Sequence, residues 1–202
     1  MSASVTPHPT RATRMALCAV PLLLMMAGMA FAHPGHEHES GFASGLAHPL
    51  LGLDHLLAMA AIGIWSIRQS TPMRRGAPWL AAGGMLLGAG LAWGGLAMPG
   101  VETGIALSVL LAGVLITALV KLPAALGGAL IVAFMLFHGH AHGSELPPGA
   151  SMLAYLAGFT LATLAITYVG RALGDALMAK ENRILRMLGA MIAVAGGVFA
   201  VG

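Results

Sequence analysis

Residues 123–142 read Pro-Ala-Ala-Leu-Gly-Gly-Ala-Leu-Ile-Val-Ala-Phe-Met-Leu-Phe-His-Gly-His-Ala-His. The first fifteen positions carry no ionisable side chain. The run is close to the ~20 residues an α-helix needs to cross ~30 Å of hydrocarbon. Its end is different, because histidines stand at 138, 140 and 142. An apolar segment of spanning length that terminates in imidazoles sets two questions for the rest of the chain: what solvent it folds in, and what the imidazoles meet.

Composition answers the first. The 202 residues are 58% hydrophobic and 8% charged, against about 25% charged in soluble domains. So few charges cannot solvate a globular surface of this size, and lipid is the expected solvent. Five further apolar stretches, near 47–67, 79–98, 103–120, 150–170 and 184–202, join 123–142. The fold class expected is all-α: a six-span membrane domain over 47–202, with three spans on each side of Pro123 and room for a 3+3 inverted repeat. Turn signals at Thr71-Pro72, Gly76-Ala77-Pro78, Met98-Pro99-Gly100, Leu122-Pro123 and Pro147-Pro148-Gly149 are expected to lie in the connections. Glycine pairs such as Gly84/Gly88 and Gly90/Gly94 read as close helix packing.

Residues 1–32 read as a cleaved secretory signal, with Arg11 and Arg14 before an apolar core and Ala30-Phe31-Ala32 as the cleavage site. The alternative is an uncleaved first helix. Cys18 lies within this segment, and Leu17 before it does not suit a lipoprotein signal. Residues 33–46 read as a periplasmic tail with His33, His36 and His38. With that tail outside, the cytoplasmic loops and helix ends hold Arg68, Arg74, Arg75, Lys121, Arg171, Lys180, Arg183 and Arg186, and the outer ones hold no lysine or arginine. This is the positive-inside pattern. It predicts a multi-pass protein of a bacterial inner membrane with both mature termini periplasmic. Asp175 and Glu181 are expected to pair with nearby arginines.

Ionisable groups inside a membrane helix are costly, at about 2.5–3.5 kcal/mol for an aspartate on the insertion scale, so they normally have a partner or a task. His48 and His55 are two helical turns apart, which puts them on one helix face. Asp54 adjoins His55, and Pro49 suits a first helical turn. His55 would lie about 10 Å deeper than His48 at 1.5 Å per residue. His138 and His142 share a face of the fourth span, with His140 pointing elsewhere. The topology brings both clusters to the outer half of the bilayer. Imidazole with carboxylate and no thiolate suits nickel, cobalt, zinc or copper. Met59, one turn below His55, could add a thioether, although methionine in such a place is usually packing. Glu145 follows the span-four histidines, and His140, His33, His36 and His38 complete the possible additional ligands.

The motifs His48-Pro49-x-x-Gly52-x-Asp54-His55-x-x-Ala58-Met59-x-x-x-Gly63 and Phe137-His138-Gly139-x-Ala141-His142-Gly143-x-Glu145 resemble the two signatures of the HupE/UreJ family of nickel/cobalt permeases. The resemblance covers the whole chain. It implies uptake of nickel(II), or cobalt(II), with His48, Asp54, His55, His138 and His142 as the metal-handling positions. The expected partners are the transported ion and the lipid bilayer, without nucleic acid; a homo-oligomer stays open. No prosthetic group and no enzymatic activity are expected. Two rival readings use the same residues: a membrane-embedded metal-dependent hydrolase, which the missing H-E-x-x-H pattern disfavours, and an electron-transfer protein with haem between two histidines.

Overall fold

The computed structural model describes residues 41–178 and 182–202. The segment read as a signal, with Cys18, the residues His33, His36 and His38 of the expected tail, and Lys180 and Glu181 lie outside the described residues. Those described form seven helices: α1 Gly41–Leu51, α2 Leu53–Ser66, α3 Thr71–Trp93, α4 Val101–Thr117, α5 Ala124–Ser144, α6 Met152–Met178 and α7 Asn182–Val201. By length and composition α5, α6 and α7 can each cross a bilayer, and α1 with α2 makes a fourth if the pair counts as one broken span. Helix α4 is apolar but only 17 residues long.

The first expected span is not one straight helix. Its two pieces, α1 and α2, meet at 78°. Gly52 stands at the break with extended torsions, φ −77° and ψ 108°. Pro49 is therefore not in a first turn; it is buried near the end of α1. The helix also starts earlier than expected, at Gly41, so the exposed tail expected over 33–46 overlaps α1. Gly41 and Gly45 are buried, and an added Cβ would collide with the backbone of Ser151, just before α6, or of Tyr155 within it.

Helix α3 also runs through a segment expected to be a connection, Gly76-Ala77-Pro78, and Thr71-Pro72 opens it. Proline at a first turn is compatible with a helix, but Pro78 is interior and frees the carbonyl four residues back. That carbonyl belongs to Arg74, and the Arg171 guanidinium donates to it at 3.3 Å. One turn along α6, Asp175 accepts from Arg74 Nη2 at 2.8 Å through both carboxylate oxygens. The pair Arg171 and Asp175 thus holds the first turns of α3, and the helix survives its proline. At the same end Arg68 donates to Asn182 at 3.2 Å and Arg186 to the Thr117 carbonyl at 3.0 Å. Trp65 and Gln69 donate to Val120, each at 3.0 Å, and pin the α4–α5 connection. Basic residues therefore gather at one end of the bundle.

Helices α3 and α5 pack against each other most extensively, followed by α4 with α7 and by α6 with α1 and α2. The α3–α5 contact is backbone on backbone. A Cβ on Gly139 would strike the Met85 carbonyl, and one on Gly88 the Leu136 carbonyl; Gly84 and Gly143 are nearly as tight. Small residues at i and i+4 on both helices permit this approach. Gly90, by contrast, faces open space and Gly94 meets only its own helix, so only the first of the two glycine pairs does the packing expected of it.

Replacing Gly139 by alanine should therefore force α3 from α5 and lower stability by about 1–3 kcal/mol, the usual range for overpacking. Gly90→Ala should shift it by less than about 1 kcal/mol, the scale of the intrinsic helix preference. Unfolding of both variants in detergent, followed by circular dichroism, checks the difference; equal stabilities would contradict the packing described.

Candidate metal centre

The alternation from 138 to 143 builds one side of the site. With α5 helical through Ser144, Gly139 and Gly143 face α3, and His138 and His142, each one residue earlier, are rotated by about 100° toward the interior. Both histidines are fully buried. His140 takes a different direction, and its Nε2 donates to the Leu96 carbonyl at 2.9 Å.

The other side comes from the broken helix. His48 lies in the last turn of α1 and His55 in the first turn of α2. Because the chain bends between them, their ring centroids are 6.4 Å apart, closer than the ~10 Å axial rise of a continuous helix. Across the gap, the His55 centroid is 4.6 Å from His138 and 4.5 Å from His142, and His48 is 4.7 Å from His142. The backbones of α2 and α5 are not among the closely packed pairs of the described residues. At this end imidazole rings stand between them; farther along, Trp65 of α2 reaches Gly127 of α5.

Hydrogen bonding sets which ring nitrogens remain available. Asp54 Oδ1 receives the backbone N–H of His55 at 2.7 Å and lies 2.7 Å from its Nδ1. An ionised carboxylate only accepts, so Nδ1 of His55 carries the proton and Nε2 keeps a lone pair. On the opposite ring, His138 Nε2 lies 2.8 Å from Ser108 Oγ on α4. His55 Nε2, His138 Nδ1 and both ring nitrogens of His142 are buried without a hydrogen-bond partner among the described residues. The His142 ring is held by stacking on Phe159, at 5.6 Å and 9° between planes.

Towards the open end, His48 Nε2 donates to Glu145 Oε2 at 2.7 Å. One donor atom each from His48, His142 and Glu145 lies within 4.8 Å of the other two. His142 thus adjoins both a half-exposed trio with His48 and Glu145 and a buried trio with His55 and His138. Met59 is fully buried in the apolar core, as are Met85 and Met135. Sequence reasoning missed Ser108 and Phe159, because a serine or phenylalanine in an apolar helix has no pattern to mark it.

Buried lone pairs from several imidazoles, with a carboxylate behind one ring and another at the mouth, form a donor set for a divalent transition metal. Bonds of about 2.0–2.2 Å to such an ion need donors about 3–4 Å apart, so binding would draw the rings slightly inward.

Known proteins point the same way. The model of the HupE / UreJ protein family matches residues 21–199. Protein HupE of Rhizobium leguminosarum bv. viciae is 37% identical over 188 residues, covering 89% of this chain and 94% of that protein. No solved structure matches. With the family model spanning nearly its full length and that relative aligned along most of both chains, this protein belongs to the HupE/UreJ family.

Proposed function

We propose that the chain imports a divalent transition metal, nickel(II) first and cobalt(II) as the alternative, across the bacterial inner membrane. His48, Asp54, His55, His138 and His142 handle the ion, and Glu145 meets it at the mouth. The observation that carries this reading is the contact of four imidazoles from α1, α2 and α5 around buried nitrogens that have no partner. An unsatisfied polar group in such a place is costly, and a cation that accepts those lone pairs removes the cost.

Two features of the fold support transport rather than static binding. The site lies where a helix is interrupted, as in transporters whose broken helices aim their ends at the cargo. The carboxyl end of α1 presents carbonyls with partial negative charge there. The packing of α3 on α5 and of α6 on α2 is also reciprocal, as an inverted repeat of three and three spans would require. In that topology the basic end of the bundle is cytoplasmic, and the histidines open to the periplasm. An inside-negative potential of 100 mV favours entry of a 2+ ion by about 4.6 kcal/mol, at ~2.3 per charge. The tail histidines His33, His36 and His38 would collect the ion before it enters.

Family membership does not favour the hydrolase, since HupE/UreJ proteins are transporters or accessory proteins and not enzymes. The haem reading is disfavoured by the rings themselves: at 4.5–4.6 Å between centroids, His55 leaves no slot for a porphyrin on its way to His138 or His142.

Cells expressing the protein should accumulate radiolabelled nickel, with cobalt as the strongest competitor among cobalt, zinc and copper. Replacing both His55 and Asp54 by alanine should reduce accumulation to that of cells lacking the protein; unchanged accumulation would end this mechanism. His140→Gln preserves a donor for the Leu96 carbonyl and leaves the ligand set intact. Its uptake should stay within about twofold of the parent, a modest change on the scale of 10–100-fold seen when ligand surroundings are lost. A loss as large as that of His142→Ala would bring His140 into the site.

A further inference from the structure

Helix α4 supplies none of the imidazoles in the cluster, yet it reaches the cluster through one hydroxyl. Ser108 is buried, and its Oγ lies 2.6 Å from the Ile105 carbonyl and 2.8 Å from His138 Nε2. A serine hydroxyl has one hydrogen. The carbonyl can only accept, so that hydrogen goes to Ile105, and Oγ offers a lone pair to the ring. His138 must then donate from Nε2, which leaves Nδ1 without a proton. That same Nδ1 is buried and has no partner among the described residues, and the His138 ring packs edge-on against His55 at 4.6 Å.

We propose that Ser108 is a positioning residue for metal transport: through the Ile105 carbonyl it holds His138 in the tautomer and orientation that keep the Nδ1 lone pair free for the ion. This rests on the metal-handling reading of the histidine cluster and adds a residue that neither signature motif contains. The arrangement mirrors that of His55, where Asp54 accepts a hydrogen bond from the Nδ1–H and so leaves Nε2 with its lone pair. Two facing rings are thus set in opposite senses by two different acceptors, one charged and one neutral. Partners behind metal-binding histidines commonly work this way, and their loss costs about 10–100-fold in affinity or activity.

The test uses the full chain purified in detergent. Threonine keeps the hydroxyl, and its Oγ1 can still bond the preceding turn; valine has nearly the same shape without it. Cobalt(II) titrations followed by visible d–d absorption should give Ser108→Thr an affinity within about threefold of the parent. Ser108→Val should bind about 10–100-fold more weakly, with changed band intensities, and nickel uptake should follow the same order. Equal affinities and spectra for the two variants would overturn the proposal. Nitrogen-15 spectra of the histidine side chains in the unsubstituted protein, with His138 assigned by its loss in His138→Gln, do not depend on either variant folding. They should show a protonated Nε2 and a bare Nδ1, and a protonated Nδ1 would refute the role. If the unsubstituted chain bound neither cobalt nor nickel, the metal site itself would fall and Ser108's role with it. Equal variants beside a normal parental signal would remove Ser108 alone.

Discussion

An imidazole brings two nitrogens wherever its ring goes, and a low-dielectric interior demands that each find a partner. His55, His138 and His142 carry six such atoms into the buried interior. Two of these nitrogens are matched, by Asp54 and by Ser108, and the other four have no partner among the described residues. The rest of the architecture can be understood as the means of holding that unbalanced state. Glycines seat α5 on α3, the break at Gly52 turns His55 inward, and Phe159 fixes the plane of His142. An interior that were only structural would gain by replacing these rings with apolar side chains of similar volume. The fold retains them at a site that opens on one side through His48 and Glu145.

Much of this was legible in the residues themselves. The near absence of charge specifies a membrane-type helical protein, and the i, i+4 spacing of His138 and His142 places them on one face of α5. The short connections bring the two histidine motifs to the same end of the bundle, where their rings touch. The pairing of Asp175 with an arginine could also be read in advance. Histidine alternates with glycine or alanine between 138 and 143, and Gly139 and Gly143 make the close approach to α3 while His138 and His142 turn their imidazoles to the interior.

What was hidden depended on tertiary context. Pro49 and Gly52 look like the start of a helix, and only packing of α1 on α6 reveals that a helix is already under way before them. Pro78 looks like a loop residue because its cost to a helix is local and visible, whereas the compensation, Arg171 on the Arg74 carbonyl, comes from nearly a hundred positions downstream. Ser108 carries no periodicity or charge to announce it. Its meaning lies in a distance to a residue on another helix. Glu145 was readable as a neighbour of the histidines, but its bond to His48 required knowing that α1 ends beside α5.

The glycine contact between α3 and α5 has a mechanical consequence. Side chains that interdigitate can slide by changing rotamer, but two backbones in direct contact have no such freedom. The pair therefore behaves as one stiff block, and His138 and His142 ride on it without independent play. His48 and His55 belong to a second block, α1 seated on α6 through Gly45 and Gly158, and α2 through Gly63 and Gly170. Between the blocks the imidazoles meet ring to ring at one end, while Arg74 with Asp175 and Arg171 joins α3 to α6 at the other. Any relative displacement of the two blocks would be felt at that imidazole surface, because the four rings are divided between them.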